Sequence, residues 1–269
     1  MTTQVLSYGG GRQTVAMLEL VRQGKLPRPD RIVIADTGRE KQSTWDYLEE
    51  VGQSIAAACG LVVEIAPRSL AYVDMYGHNG DLLLPVYTPT GKLPAFCSSE
   101  WKGSVVNRYM KLTALGYTPS DVQAMSNEEA RQQIKRTAPG FVSWIGFALD
   151  ERNRIKGREG RSFPLVDLGL TKHDCIDIIK RAGLPLPPPS SCFMCPHMSN
   201  EQWRHVRDEY PDQFEQACQI DEDVRENNLL TTGLGVWLHH SRVPLREADL
   251  SSSDRKEASR QCGLGMCFV

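Results

Sequence analysis

Apolar residues come in short unbroken runs at the start of the chain. Val5 to Tyr8, Arg31 to Ala35 and Leu61 to Ile65 show no in-out alternation, the pattern of strands covered on both faces. Between them, apolar positions fall at helical spacing over about Thr14 to Gln23 and about Ser43 to Cys59. Strand, helix, strand, helix, strand in that order predicts an α/β fold with a parallel sheet flanked by helices.

Beyond residue 66 the pattern loosens. From Arg68 to Phe96 the chain is rich in Gly, Pro, Tyr and Asn and has no helical period, so a long loop or small insertion beside the sheet is expected. Ser98 or Ser99 is placed to cap a helix carrying Trp101, Val105, Tyr109 and Leu112. A shorter polar helix is expected over Ser126 to Arg136, and another strand over Phe141 to Phe147. Thr171 with Asp174 three residues on reads as a capping box, opening a helix to about Ala182. Pro185 to Pro189 stops that helix and delivers the chain to SCFMCPHMS. A helical region follows over about Asn200 to Glu226, interrupted at Pro211, and after Asn227 the pattern reads mostly as loop. Ser251 to Arg260 reads as a polar, flexible lead to the last residues, QCGLGMCFV. The expected division is residues 1–200 as an α/β domain that includes the CxxC segment, and 201–269 as a helical extension with a cysteine-containing tail.

The first strand-to-helix turn carries candidate chemistry. In LSYGGGRQTVAML three glycines stand between strand and helix, where a backbone free of Cβ can curl and aim its amides at one point. The helix N-terminus adds partial positive charge there. Ser7, Tyr8 and Thr14 contribute hydroxyls and Arg12 a forked cation, a set suited to phosphate or sulfate. A ligand-free tight turn is the alternative. The loop matches neither GxxxxGK[ST] nor GxGxxG.

Composition narrows the class. With 269 residues, 41% hydrophobic and 24% charged, the chain can bury a sizeable core. A net charge of −2 gives no global field toward nucleic acid or anionic lipid. No apolar run reaches membrane-spanning length and MTTQVLSYGG has no basic-then-apolar leader, so a cytoplasmic protein without membrane contact is expected. Eight cysteines in such a chain read as metal ligands, reactive thiols or buried packing residues rather than a disulfide frame.

Five segments, in order over roughly residues 4 to 200, resemble the PAPS-reductase-like family of PP-loop proteins. YGGGRQT is similar to the PP-loop SGGKDS with its preceding aromatic residue, with Gly9, Gly10, Gly11, Arg12, Gln13 and Thr14 laid on it. IADTGREKQSTWDYLEEV resembles the DTG segment through Asp36, Thr37 and Gly38. FCSSEWKGSVVNRY resembles the family's cysteine segment followed by a lysine, and IGFALDERNR its GxRxDES segment through Gly146, Asp150 and Glu151. FPLVDLGLTKHDCIDIIKRAGLPLPP followed by CFMCP resembles its last segment. The resemblance implies a Rossmann-like fold and an adenine nucleotide (ATP, APS or PAPS) at Ser7 to Thr14, with Asp36 to Gly38, Gly146, Asp150, Glu151 and Arg152 beside it. The chain departs from the family where Gln13 replaces the loop aspartate, Ala148 the arginine of GxRxDES, and Ser98 the second cysteine of the CC pair.

The cysteines sort by context. Cys59, Cys175 and Cys218 continue apolar helical stripes and read as packing residues. Cys97, Cys192, Cys195, Cys262 and Cys267 stand in loops beside Gly, Pro or Ser. The Cys192–Cys195 spacing lets two sulfurs reach one metal or cluster, and with Cys97 they are read as three ligands of an iron–sulfur cluster, of 4Fe-4S type. Zinc with His197 as a fourth ligand, or structural thiols alone, are the alternatives. The tail QCGLGMCFV resembles the ECGLH tail of sulfonucleotide reductases, which makes Cys262 the expected nucleophile and Cys267 a thiol able to resolve its intermediate. A tail with two incidental cysteines is the other reading.

Arg152, Arg154, Lys156, Arg158 and Arg161 crowd into ten residues. One or two are expected to face the ligand or a nucleic-acid substrate, the rest water. His239 and His240 read as structural. The expected function is sulfonucleotide-reductase-type sulfur chemistry with a thiol or sulfur donor. An ATP-dependent sulfurtransferase acting on tRNA or DNA, and a nucleotide-binding protein without catalysis, are the alternatives.

Overall fold

The computed structural model describes residues 2–134 and 140–252. The strands are β1 (Thr3–Ser7), β2 (Arg31–Ala35), β3 (Val63–Ala66), a hairpin of β4 (Tyr87–Thr88) and β5 (Gly91–Lys92), then β6 (Phe141–Trp144) and β7 (Arg161–Ser162). All but the hairpin join one parallel sheet in the order β3-β2-β1-β6-β7. The expected α/β, Rossmann-like architecture is what the chain adopts. From β1 the chain builds outward to β2 and β3, then returns to the other side of β1 as β6. The β1–β6 junction is thus a topological switch point, where open α/β sheets leave a crevice above their carboxyl ends.

The helices are α1 (Arg12–Arg22), α2 (Gln42–Tyr47), α3 (Gln53–Ala58), α4 (Ser104–Ala114), α5 (Pro119–Ala124), α6 (Asn127–Ile134), α7 (Pro164–Asp167), α8 (Lys172–Arg181), α9 (Asn200–Glu209) and α10 (Pro211–Thr232). Side chains alternate across the sheet. Leu6, Tyr8, Ile32 and Ile34 join the core built with α1, α3 and α8. Val5, Val33, Ala35 and Ala66 join the one built with α4, α5 and α6. On α1, Val15, Ala16, Met17 and Leu18 are fully buried, and each larger side chain among them contributes about 1.5–3 kcal/mol. The helix is enclosed on several sides, so even Glu19 is buried, held by Arg22 at 2.7 Å and Gln23 at 2.6 Å.

The single helix expected over residues 43–59 is α2 and α3 joined by a π turn, Leu48–Gly52. A second π turn, Ser99–Gly103, opens α4. Such turns recur at functional sites, and here Gly52 lies against Tyr8, whose hydroxyl a Cβ would meet at 2.9 Å. The Thr171–Asp174 capping box forms as expected. Helix α10 continues past the expected loop boundary and stops at Gly233; the left-handed φ of +73° there is a conformation glycine takes without strain. Helix α5, α7 and β7 had no periodicity to announce them, each being six residues or fewer.

A second core lies beside the sheet. Leu82, Leu83, Leu84 and Val86 of the segment expected as loop pack with Trp101, Phe193, Met194, Trp203 and Leu238. The division expected near residue 200 runs through this cluster. Asp221 ties the later segments to α10 by accepting the N–H groups of Leu238 at 2.7 Å and Leu245 at 3.0 Å. His239 is buried between Asn200 and Ser241, at 2.8 and 2.6 Å, a structural setting. Among the described residues no helix is long and apolar enough to cross a membrane.

Candidate functional site

The glycine loop leaves the end of β1 and enters α1 at Arg12. No side chain caps that helix and its first turn holds no acid, so the amides of the first turn are left to solvent or a ligand. Gly10 has φ of +67°, and a Cβ there would stand 2.5 Å from Thr44 Cγ2; one on Gly11 would stand 2.7 Å from Ser190 Oγ. The backbone is packed so tightly against α2 and the Ser190 segment that only glycine fits. Around it the Tyr8 hydroxyl, Arg12 Nε, Ser43 Oγ, Thr44 Oγ1 and Ser191 Oγ are buried without a hydrogen-bond partner. Buried polar groups are nearly always paired, so this concentration marks a place prepared for a polar ligand.

A narrow slot of about 50 Å³ opens over the loop. Ser7, Tyr8, Gly9, Gly11, Gln13, Thr14 and Gly146 of the expected nucleotide residues line it, together with the apolar Val33, Ala35, Val106 and Ile145. Gly146 has to be small: a Cβ would meet Thr14 Cγ2 at 3.0 Å. The other expected residues stand away from the slot. Asp36 accepts the Gly38 amide at 2.7 Å and Thr37 Oγ1 the Arg39 amide at 3.1 Å, a turn that carries Glu40 to the slot wall. Asp150 is exposed and accepts the Lys172 amide at 3.1 Å. Arg152 is exposed.

Glu151 is buried and paired with Arg154 at 2.5 Å and Lys172 at 3.1 Å. It accepts from Gln13 Nε2 at 3.1 Å. This bond anchors Gln13 to the GFALDE segment. In the basic loop, Arg154 also lies over the Phe147 ring at 4.2 Å, and Arg158 pairs with Asp167 at 2.9 Å. Lys156 and Arg161 are exposed.

Two charged residues complete the slot: Lys102, the lysine of the FCSSEWKG segment, and Glu40, which sequence reasoning did not single out. Lys102 Nζ is 2.7 Å from Glu40 Oε1, and Glu40 Oε2 is buried without a hydrogen-bond partner. Glu40 also bridges to Cys192 through the backbone. The signal for Glu40 in the sequence was position alone, two residues after DTG, and no role had been given to Lys102, five after Cys97.

Cys97, Cys192 and Cys195 meet next to this pair. They border the second core and sense one another's charge: burial first, then Cys195, raises the Cys97 thiol to about 12, and burial first, then Glu40, pushes the Cys192 thiol up. Lys41 is 1% exposed, and its ammonium is destabilised by burial and favoured by Cys195, Glu40 and Cys192. Among the described residues no three His, Cys, Asp or Glu side chains are drawn together closely enough to hold a metal ion. The three thiols share a neighbourhood and are the donor type an iron–sulfur cluster takes, but they do not stand in ligating geometry. His197 is engaged otherwise: Lys92 Nζ lies 2.9 Å from its Nδ1. Burial, then Lys92 and Arg154, depresses its pKa to about 4, and its Nε2 is buried without a hydrogen-bond partner.

Cys175 and Cys218 are buried in the two cores, and Cys59 is half-buried with its Sγ 3.8 Å from Leu18 O. All three pack as expected. Cys262 and Cys267 lie outside the described residues.

Fold and site together define a class: a parallel α/β protein whose glycine loop, at the switch point, opens into a slot with Glu40 in its wall, the residue bridged by backbone to Cys192. No protein-family model, no curated protein and no solved structure matches the chain.

Proposed function

We propose that this protein binds an adenine nucleotide at the glycine loop and performs sulfur chemistry on it, in the manner of a sulfonucleotide reductase. One observation carries the reading: Glu40 and Lys102 belong both to the nucleotide slot and to the surroundings of Cys192. The apolar wall of Val33, Ala35, Val106 and Ile145 suits a base. The loop amides and Arg12 suit its phosphates.

Cys97, Cys192 and Cys195 are the residues that would hold an iron–sulfur cluster, which when bound would supply soft Lewis-acidic iron beside the substrate. Lys102, in the slot wall, orients an anionic sulfonyl group by charge. In this scheme the Cys262 thiolate attacks the substrate sulfur and the nucleotide phosphate leaves. Cys267 then attacks the Cys262 sulfur, expelling sulfite and closing a disulfide that an external dithiol reduces.

The test is a product panel with ATP, APS and PAPS and a dithiol donor, on protein purified without air and assayed for iron and sulfide. Sulfite from APS or PAPS is the expected result. AMP and pyrophosphate from ATP would instead assign an ATP-dependent sulfurtransferase, and binding without any product a nucleotide-binding protein. Colourless, zinc-loaded protein would defeat the cluster assignment. Cys262→Ser should abolish sulfite release while nucleotide still binds.

A further inference from the structure

A second, larger cavity lies on the α4 face of the sheet. Its volume is about 640 Å³, within the range of small-molecule pockets. It meets the glycine-loop slot at Ser7, Val106 and Ile145. The strand registers Val5↔Ser143 and Ser143↔Arg161 put these side chains on one sheet face. Under α4 that face is apolar, with Val5, Val33 and Ala35. Toward β6 and β7 it is polar instead: Ser143 is half-buried, Arg161 is exposed, and Ser7 Oγ and Ser143 Oγ are 2.6 Å apart. A parallel sheet ordinarily buries both faces under apolar contacts, so a polar floor here has a use other than packing.

The walls are cationic. Arg108 and Lys111 enter from α4 and Arg161 from β7, against Glu159 as the single acid among the described lining residues. Arg108 is fixed, donating to Leu70 O at 2.7 Å with its guanidinium 3.5 Å from the centre of the Tyr72 ring. The side chains of Lys111 and Arg161 have neither hydrogen bond nor ion pair among the described residues. At the other end, Ser99 and Gly103 belong to the turn that follows Cys97 and carries Lys102.

We propose that this cavity binds a free phosphorylated small molecule as a second ligand, its phosphate between Lys111, Arg161 and the Ser7–Ser143 hydroxyls. The remainder of that ligand extends toward the Cys97 turn. Cations from two sides with hydroxyls beneath suit a group with several acceptor oxygens. A net charge of −2 and the internal pairing of Arg154 and Arg158 favour a small molecule over a polynucleotide. The site adjoins the nucleotide slot and shares Ser7 with it, and Lys111 and Arg161, which line only this cavity, let it be tested separately.

The probe is ribose 5-phosphate, titrated calorimetrically into the full chain with and without saturating ATP, with ribose as the phosphate-free control. One site for ribose 5-phosphate, present in both titrations and absent for ribose, is expected. Lys111→Gln and Arg161→Gln, both away from the cores, should each weaken it tenfold or more and leave ATP affinity within twofold. Gly10→Ala should abolish ATP binding and leave ribose 5-phosphate bound, so failure of the nucleotide reading would not be mistaken for failure of this one. The proposal is overturned if ribose 5-phosphate does not bind, if ATP competes with it, or if neither cation variant weakens it. Tighter binding of a ten-nucleotide single strand, lost in the same variants, overturns it in favour of a polynucleotide.

Discussion

Gly10 is where the loop geometry is most demanding. With φ of +67° and a prospective Cβ 2.5 Å from Thr44 Cγ2, alanine at this position meets two separable costs. Holding a side chain in the left-handed region costs about 1–2 kcal/mol, and forcing a methyl into a packed contact costs about 1–3 kcal/mol. Gly10→Ala should therefore lose about 2–5 kcal/mol of unfolding free energy, measured by urea denaturation followed by tryptophan fluorescence. Thr44→Ser deletes the opposing methyl and keeps the hydroxyl. In Gly10→Ala/Thr44→Ser the steric part should return and the backbone part should not, giving a coupling of about 1–3 kcal/mol in the double-mutant cycle. Nucleotide affinity should follow the same pattern, because the clash displaces the amides that face the ligand. A loss below about 0.5 kcal/mol, or additive effects of the two substitutions, would refute the packing of the loop against α2.

Removing Glu151 takes a buried carboxylate from Arg154, which is largely buried, and from the half-buried Lys172, so Glu151→Ala should cost about 3 kcal/mol in denaturation; a cost under 1 kcal/mol would contradict its burial. Lys102→Met strands the Glu40 carboxylate, whose side chain is 2% exposed, and should cost about 3 kcal/mol. Adding Glu40→Gln should recover part of that loss, and no recovery would mean the pair is not coupled. For Glu19, the Arg22 hydrogen bond outweighs burial and holds the carboxyl below its ordinary value of 4.5. Its stabilisation is complete above that value and is lost as pH falls through the lower folded one. The stability gap between the native protein and Glu19→Gln should accordingly be flat from neutral pH to about 5 and shrink on further acidification; a gap that widens there has the wrong sign.

The first 66 residues were legible because each element announces itself locally. Unbroken apolar runs mark buried strands, and a three-glycine turn before a helix marks a loop that needs space and free amides. The capping box at Thr171 and the proline stop after Ala182 are equally local. Helices α5 and α7 and the two-residue β7 were not legible, since a helical period needs more than one repeat to show and two strand residues make no apolar run. The burial of Leu82 to Val86 was hidden because their partners, Phe193, Trp203 and Leu238, lie more than a hundred residues away.

The candidate site divides in the same way. Sequence alone determined which residues could form a phosphate cradle and which cysteines were unlike packing residues, because backbone freedom and thiol context are properties of a few neighbours. It also marked the DTG and GFALDE segments without their tasks, which are to deliver Glu40 and to anchor Gln13 through Glu151. Only the tertiary structure decided that the loop opens into a slot with Glu40, bridged by backbone to Cys192, in its wall, and that a polar stretch of one sheet face opens into a cationic cavity. The reason is physical: those relations depend on strand order and on which face each side chain takes, and both are settled by packing between segments distant in the chain.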